Sequence, residues 1–215
     1  MTDQIRLDPP SELTMELGEA MFTQRAIRRL DPDRPIDDEQ LKLILDAASK
    51  APNGGNAQPG RFFVIRDRSL ISAFGELYHE AWWAKRADQF GWKQDHQIPD
   101  DSPYRMAALL ADEIGQAPAV VLAFSLGKLP GDSSVFPGVQ NLMLAARALG
   151  IGSTLTTLHP TVMERVHELL AIPDGVAFHC CVPLGYPRGN FGTTERLPTA
   201  ETTSWNTWAT PPPWV

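Results

Sequence analysis

Residues 135–149 are apolar on almost every side, with Ala145, Ala146 and Ala148 near the end of the run. A helix without a polar face has no surface to lie on, so this one belongs in the middle of the protein, and its alanines let neighbouring elements approach closely. Gly150 and Gly152 break it, as glycines do at helix ends. Any fold open to this chain must place covering elements around that helix. Four short apolar runs, 62–65, 119–124, 154–158 and 176–184, have the length of buried strands. Ser11, after the Pro9-Pro10 pair, is placed to cap a helix bearing Leu13, Leu17, Ala20 and Met21. Asp37 and Gln40 have the offset of a capping box before Leu41, Ile44, Leu45 and Ala48, a stripe that stops near Pro52. Further helices are predicted over 69–89, 104–114 and 161–170, with an irregular segment over 90–103. Helices mixed with about four strands give a layered α+β fold.

The chain has 215 residues and 43% hydrophobic content, which suits one domain with a substantial core. No repeat or linker divides it, so residues 1–215 read as a single domain with a tail from about 186. Nineteen basic against 26 acidic residues leave a net charge of −7, which opposes nucleic-acid binding and requires any basic site to be local. The opening MTDQIRLDPP lacks the apolar core of a leader, and no run approaches the roughly 20 apolar residues of a membrane span. A cytoplasmic location is expected. Cys180 and Cys181 are adjacent in an apolar run, where successive strand side chains point to opposite faces, so a mutual disulfide is sterically disfavoured and a buried-strand role is expected for both. The tail carries Trp205, Trp208 and Trp214. Three large rings left in water are an apolar liability, so either they fold back or they pack on a partner subunit, and the partner is the favoured reading.

Common enzyme signatures are missing: no Gly-Lys-Ser/Thr phosphate loop, no G-x-G-x-x-G after the first strand, no G-x-S-x-G elbow. His79-Glu80 starts like a zinc-protease helix but has Trp83 where the second histidine belongs, and no metal site is expected. Two short stretches stand out instead. The basic knot Arg25-Ala26-Ile27-Arg28-Arg29 follows the first helix, and at helical spacing Arg25 and Arg28 share a face on which both guanidiniums can meet one phosphate. The loop APNGGNAQPGRF from Ala51 supplies Asn56 and Gln58, whose amides match the alternating N–H and C=O edge of a flat heterocycle, while Gly54 and Gly55 permit close backbone approach. A solvated helix end and an ordinary turn are the bland readings of each stretch alone.

Taken together the two stretches resemble the nitroreductase family of flavoproteins, whose members show an R-S-x-R segment and then an A-P-S-x-x-N-x-Q-P-W-x-F loop. VQNLMLAARALGIGSTLTT from Val139, PLGYP from Pro183 and Glu195-Arg196-Leu197-Pro198 resemble its central helix, following strand and closing segment. The Trp-rich end and Leu-Thr-Thr-Leu-His are similar to a subgroup known from mycobacteria and related bacteria. Carried over, the resemblance implies FMN contacts from Arg25, Ala26 and Arg28, a further phosphate contact from Arg196, and a ring contact from Asn56. Gly54 and Gln58 match positions that in some members reach the flavin across the dimer. Pro137 and Gly138 fall near the reactive flavin edge, and Leu155, Thr156 and Thr157 supply contacts from the second half of the chain. Two departures are visible: Ala26 replaces the family serine, losing a hydroxyl bond worth about 1 kcal/mol, and Gly60 replaces the tryptophan after Gln-Pro.

The resemblance further implies a three-layer fold with a mixed, mainly antiparallel sheet, and a homodimer that exchanges C-terminal tails. It implies an oxidoreductase cycle from NADH or NADPH through FMN to an aromatic acceptor such as a nitro compound or quinone, with no protein acid, base or nucleophile. Reductive dehalogenation, flavin modification and non-catalytic flavin binding are the alternatives within the same fold. Trp82, Trp83, Phe90, Trp92 and Tyr104 could wall the acceptor side, although aromatics at helical spacing more often build core.

Overall fold

The computed structural model describes residues 10–127 and 131–214. Residues 1–9, most of the stretch read above for a leader, lie outside the described residues. Among those described, the strands β1 (Gly60–Ile65), β2 (Ala119–Leu126), β3 (Gly152–Ser153) and β4 (Val176–Gly185) form one sheet. Its order is β1-β2-β4-β3, every pairing antiparallel, with a single parallel bridge from Ala26 to Ser153 at the β3 edge. Strand alternation sends β2 to two sides. Val120, Leu122 and Phe124 face one core with Phe74 and Tyr78 of α3 (Arg68–Phe90), residues of α4 (Tyr104–Glu113), and Val166 of α6 (Met163–Leu170). Ala119, Val121 and Ala123 face the other with α2 (Asp38–Ser49) and α5 (Asp132–Ala148). Cys180 and Cys181 divide in the same way, one into each core. The result is the expected three-layer α+β fold.

The apolar helix α5 is central as its composition requires: Val139, Leu142 and Ala146 are fully buried against the sheet and α2. The Asp37 capping box with Gln40 starts α2. Asp67, whose carboxylate accepts from the Ser69 and Leu70 N–H groups, starts α3, and Gly91 in the left-handed region ends it.

Three expectations change. The first helix, α1 (Leu17–Thr23), begins well after Ser11, which lies in a turn and donates its hydroxyl to Glu12. It also ends before the basic knot, so Arg25 and Arg28 are not on a helical face. They lie on an extended segment laid against β3, with the Ile27 N–H bonded to the Ser153 carbonyl. Gly152 permits this docking: a Cβ there would stand 2.6 Å from Ile27 Cγ2. The third strand, expected over 154–158, covers Gly152–Ser153 instead, and pairing resumes only at Thr156, which exchanges both backbone bonds with Cys181.

Beyond β4 the tail runs back beside the arginine segment, tied by Arg188 N–H to the Arg29 carbonyl and Thr194 N–H to the Phe22 carbonyl. After α7 (Thr199–Thr202), Trp205 packs edge-on against Trp214 at 5.0 Å, while Trp208 is 94% exposed. Leu17, Met21 and Phe22 of α1 also face outward. No helix among the described residues is long and apolar enough to cross a membrane.

Candidate functional site

The predicted site residues gather at two places. At the β3 corner, Arg25, Ala26 and Arg28 share a cleft with Thr193, Thr194, Glu195 and Arg196. The tail's pairing with the arginine segment is what carries Arg196 there. Arg28 is half-buried, and burial is the main force lowering its basicity; the neighbouring Arg25 adds to that and Tyr78 opposes it. Three guanidiniums facing one carboxylate leave an excess of positive charge in a chain that is acidic overall. Behind the cleft, the Tyr78 hydroxyl shares a hydrogen bond with Thr156 Oγ1 at 2.8 Å, and burial pushes that phenol well above its usual range. Lys85 donates to the Thr157 carbonyl and hydroxyl, both at 2.5 Å, and burial lowers its ammonium to about 8. Leu155 is exposed beside them.

At the opposite corner, the loop before β1 is held in an unusual shape. Gly55, Asn56 and Gln58 all have positive φ, 57°, 53° and 49°; glycine and asparagine accept this region readily, but for Gln58 it is a costly conformation that surrounding bonds must enforce. Asn53 does so: its Oδ1 accepts the Gln58 N–H at 2.8 Å and its carbonyl accepts the Asn56 N–H. Ser134 Oγ accepts the Gly54 N–H at 3.1 Å, pinning the loop to the start of α5. Asn56 and Gln58 keep their side chains exposed. Pro137 lies inside the first turns of α5. Gly138 is buried, where a Cβ would stand 3.0 Å from the Ala48 carbonyl, so its visible task is the close packing of α5 on α2.

These corners are diagonal. Gly60 leads through Ser125 to Ala177 on β4, whereas Gly152 pairs with Gly185 at the other end of that strand. At ordinary strand rise and spacing the separation is on the order of 30 Å. Sequence reasoning missed Asn53, Ser134, Tyr78 and Lys85, along with Arg61, which donates to the Gln58 and Gly60 carbonyls. Asn53 was readable as a turn residue; the others give no local signal. Of the aromatic wall, Trp82 is core, while Phe90, Trp92 and Tyr104 cluster, with Phe90 stacked on Trp92 at 4.4 Å.

Comparison with known proteins agrees with this architecture. The nitroreductase family matches residues 22–186. An Archaeoglobus fulgidus protein provisionally named an NADH dehydrogenase/NAD(P)H nitroreductase is 34% identical over 174 residues, covering 78% of this chain and 83% of the relative. A Thermus thermophilus NADH dehydrogenase is 30% identical over 205 residues, covering 86% and 94%. Among solved structures, an iodotyrosine deiodinase bound to FMN and 3-iodo-L-tyrosine superposes with a TM-score of 0.67 at 23% identity, covering 84% of this chain and 95% of that one. Matched over residues 22–186 and 30% or more identical to relatives along most of its length, the chain belongs to the nitroreductase family.

Proposed function

We propose that the protein is an FMN-dependent oxidoreductase, acting as a homodimer, that takes electrons from NADH or NADPH and passes them to a flat aromatic acceptor such as a nitro compound or quinone in a ping-pong cycle. The observation that carries this reading is the diagonal division of the site. A phosphate-binding corner and a ring-reading corner about 30 Å apart lie beyond the span of one mononucleotide, but a two-fold pair can set the arginine corner of one copy beside the amide loop of the other. The exposed Leu17, Met21, Phe22 and Trp208 supply an apolar surface for such a contact. Tail exchange would cover the tryptophans.

The residues present fit the cofactor. Arg25, Arg28 and Arg196 would hold a phosphate through charge-assisted bonds, with Ala26 contributing backbone only. Asn56, Gln58 and Gly54 from a second copy would read the ring edge, and Leu155, Thr156 and Thr157 would line its other side. Pro137 and Gly138 would bound the cleft from the second copy's α5. When bound, FMN supplies the two-electron chemistry. The chain's own part is to position the ring, hold positive charge near it and exclude water, so no side chain is assigned as catalytic.

The purified protein is expected to be yellow, with one FMN per chain, and to oxidise NADH or NADPH with a quinone or nitroaromatic, giving parallel double-reciprocal lines. Colourless protein that added FMN cannot reconstitute would overturn the reading. Bound flavin that no nicotinamide donor bleaches would favour a non-catalytic flavin-binding role. The deiodinase likeness supports a second reading, reductive dehalogenation, which halide release from a halophenol would reveal.

A further inference from the structure

Arg86 is a charged side chain only 8% exposed, yet its Nε is buried without a hydrogen-bond partner. Among the described residues no carboxylate pairs with it. On α3 and in the segment after it, Glu80 pairs with Arg165, Asp88 with His159 and Asp100 with Arg105. Its charged neighbours are cations instead, Lys85 beside it in sequence and Arg28 across the shared neighbour Tyr78. Aromatic rings surround the guanidinium, with Tyr104 at 4.5 Å, Trp82 at 5.3 Å and Phe90 at 5.8 Å from its carbon. Ring faces attract a cation but accept no strong hydrogen bond, so they offset only part of the cost of burying it. A buried guanidinium left this way calls for an anionic partner from outside the chain.

Helix spacing sets Trp82, Lys85, Arg86 and Phe90 near one side of α3. Through Lys85, bonded to Thr157, that side borders the arginine corner. The cage is open to solvent where Phe90 stands 46% exposed, stacked on Trp92. We infer that Arg86 and the rings of Phe90, Trp92 and Tyr104 form an acceptor-binding subsite for aromatic carboxylates, the guanidinium taking the carboxylate and the rings taking the flat face. This rests on the oxidoreductase reading above and deepens it by naming the acceptor's charge. Arg presents its N–H groups in a planar fork that matches a carboxylate, which Lys cannot reproduce.

The test compares para-nitrobenzoate with its neutral amide on the flavin-loaded protein and on the Arg86→Met and Arg86→Lys variants, reading dissociation constants by calorimetry, FMN content by absorbance, and ligand-free melting temperature. The wild-type protein should bind the acid about tenfold or more tighter than the amide. Arg86→Met should bring the ratio near one with FMN content unchanged, and the ligand-free variant should melt no lower than wild type, because an unpaired buried charge has been replaced by an apolar side chain. Arg86→Lys should recover only part of the preference. A ratio untouched by Arg86→Met, with a fall in melting temperature, would show a structural cation–ring plug and overturn the inference. Loss of FMN from Arg86→Met would assign the residue to the cofactor and overturn it equally. Wild-type protein without flavin would sink the oxidoreductase reading itself, and this inference with it.

Discussion

Arg25 and Arg28 reach the same cleft by a different route from the one their spacing suggested. An extended segment anchored at Ile27 by Gly152 and Ser153 presents them, and the tail adds Arg196. The residue types were legible; their backbone was not, because a three-residue offset looks the same before it is known where α1 stops. Replacing Arg28 with Ala should weaken FMN binding by roughly tenfold or more, the value of a charge-assisted bond, as fluorescence titration would read. Lys85 makes a pH prediction. Burial holds its ammonium at about 8, below the ordinary 10.5. Below about pH 8 both folded and unfolded chains carry the proton and the burial penalty is felt in full. Between about 8 and 10.5 the folded chain sheds it while the unfolded chain keeps it, so this contribution to stability rises with pH. Urea melts of Lys85→Met against wild type should therefore show the variant's relative stability declining as pH climbs through that window. A flat difference would contradict the assignment.

Element boundaries followed the sequence closely wherever a local signal was strong. The Asp37 capping box and the apolar runs of β2 and β4 act through neighbours a few residues away, which a linear reading captures. Asp37→Ala should cost about 1 kcal/mol in a denaturant melt, typical of a lost helix cap. Failures came where tertiary contacts decide. β3 stops at Ser153 and pairing returns only at Thr156, where Thr156 and Thr157 also bond Tyr78 and Lys85 on α3, partners some seventy residues distant. In the amide loop, Asn53 is the organiser, so Asn53→Ala should release Gln58 from its positive φ and reduce FMN affinity without shifting the melting temperature by more than a few degrees. Unchanged affinity would mean that the loop shape is incidental.

At the scale of the molecule, chain order misleads. The two motifs lie some 25 residues apart in sequence, and only the resemblance implied that the loop serves a pocket across the dimer; the order β1-β2-β4-β3 puts the strand after the amide loop and the strand beside the arginines on opposite edges. Only topology reveals that distance, and it makes the second copy a requirement of the proposed site. Mixing two defective chains tests this most directly. One carries Arg25→Ala with Arg28→Ala, the other Asn56→Ala with Gln58→Ala, and the mixed dimer is purified through distinct tags. A site shared between chains leaves one intact pocket in that dimer, so it should bind one FMN at wild-type affinity while both parent variants bind weakly. If the mixed dimer binds FMN no better than its parents, each pocket is built within a single chain and the account is wrong.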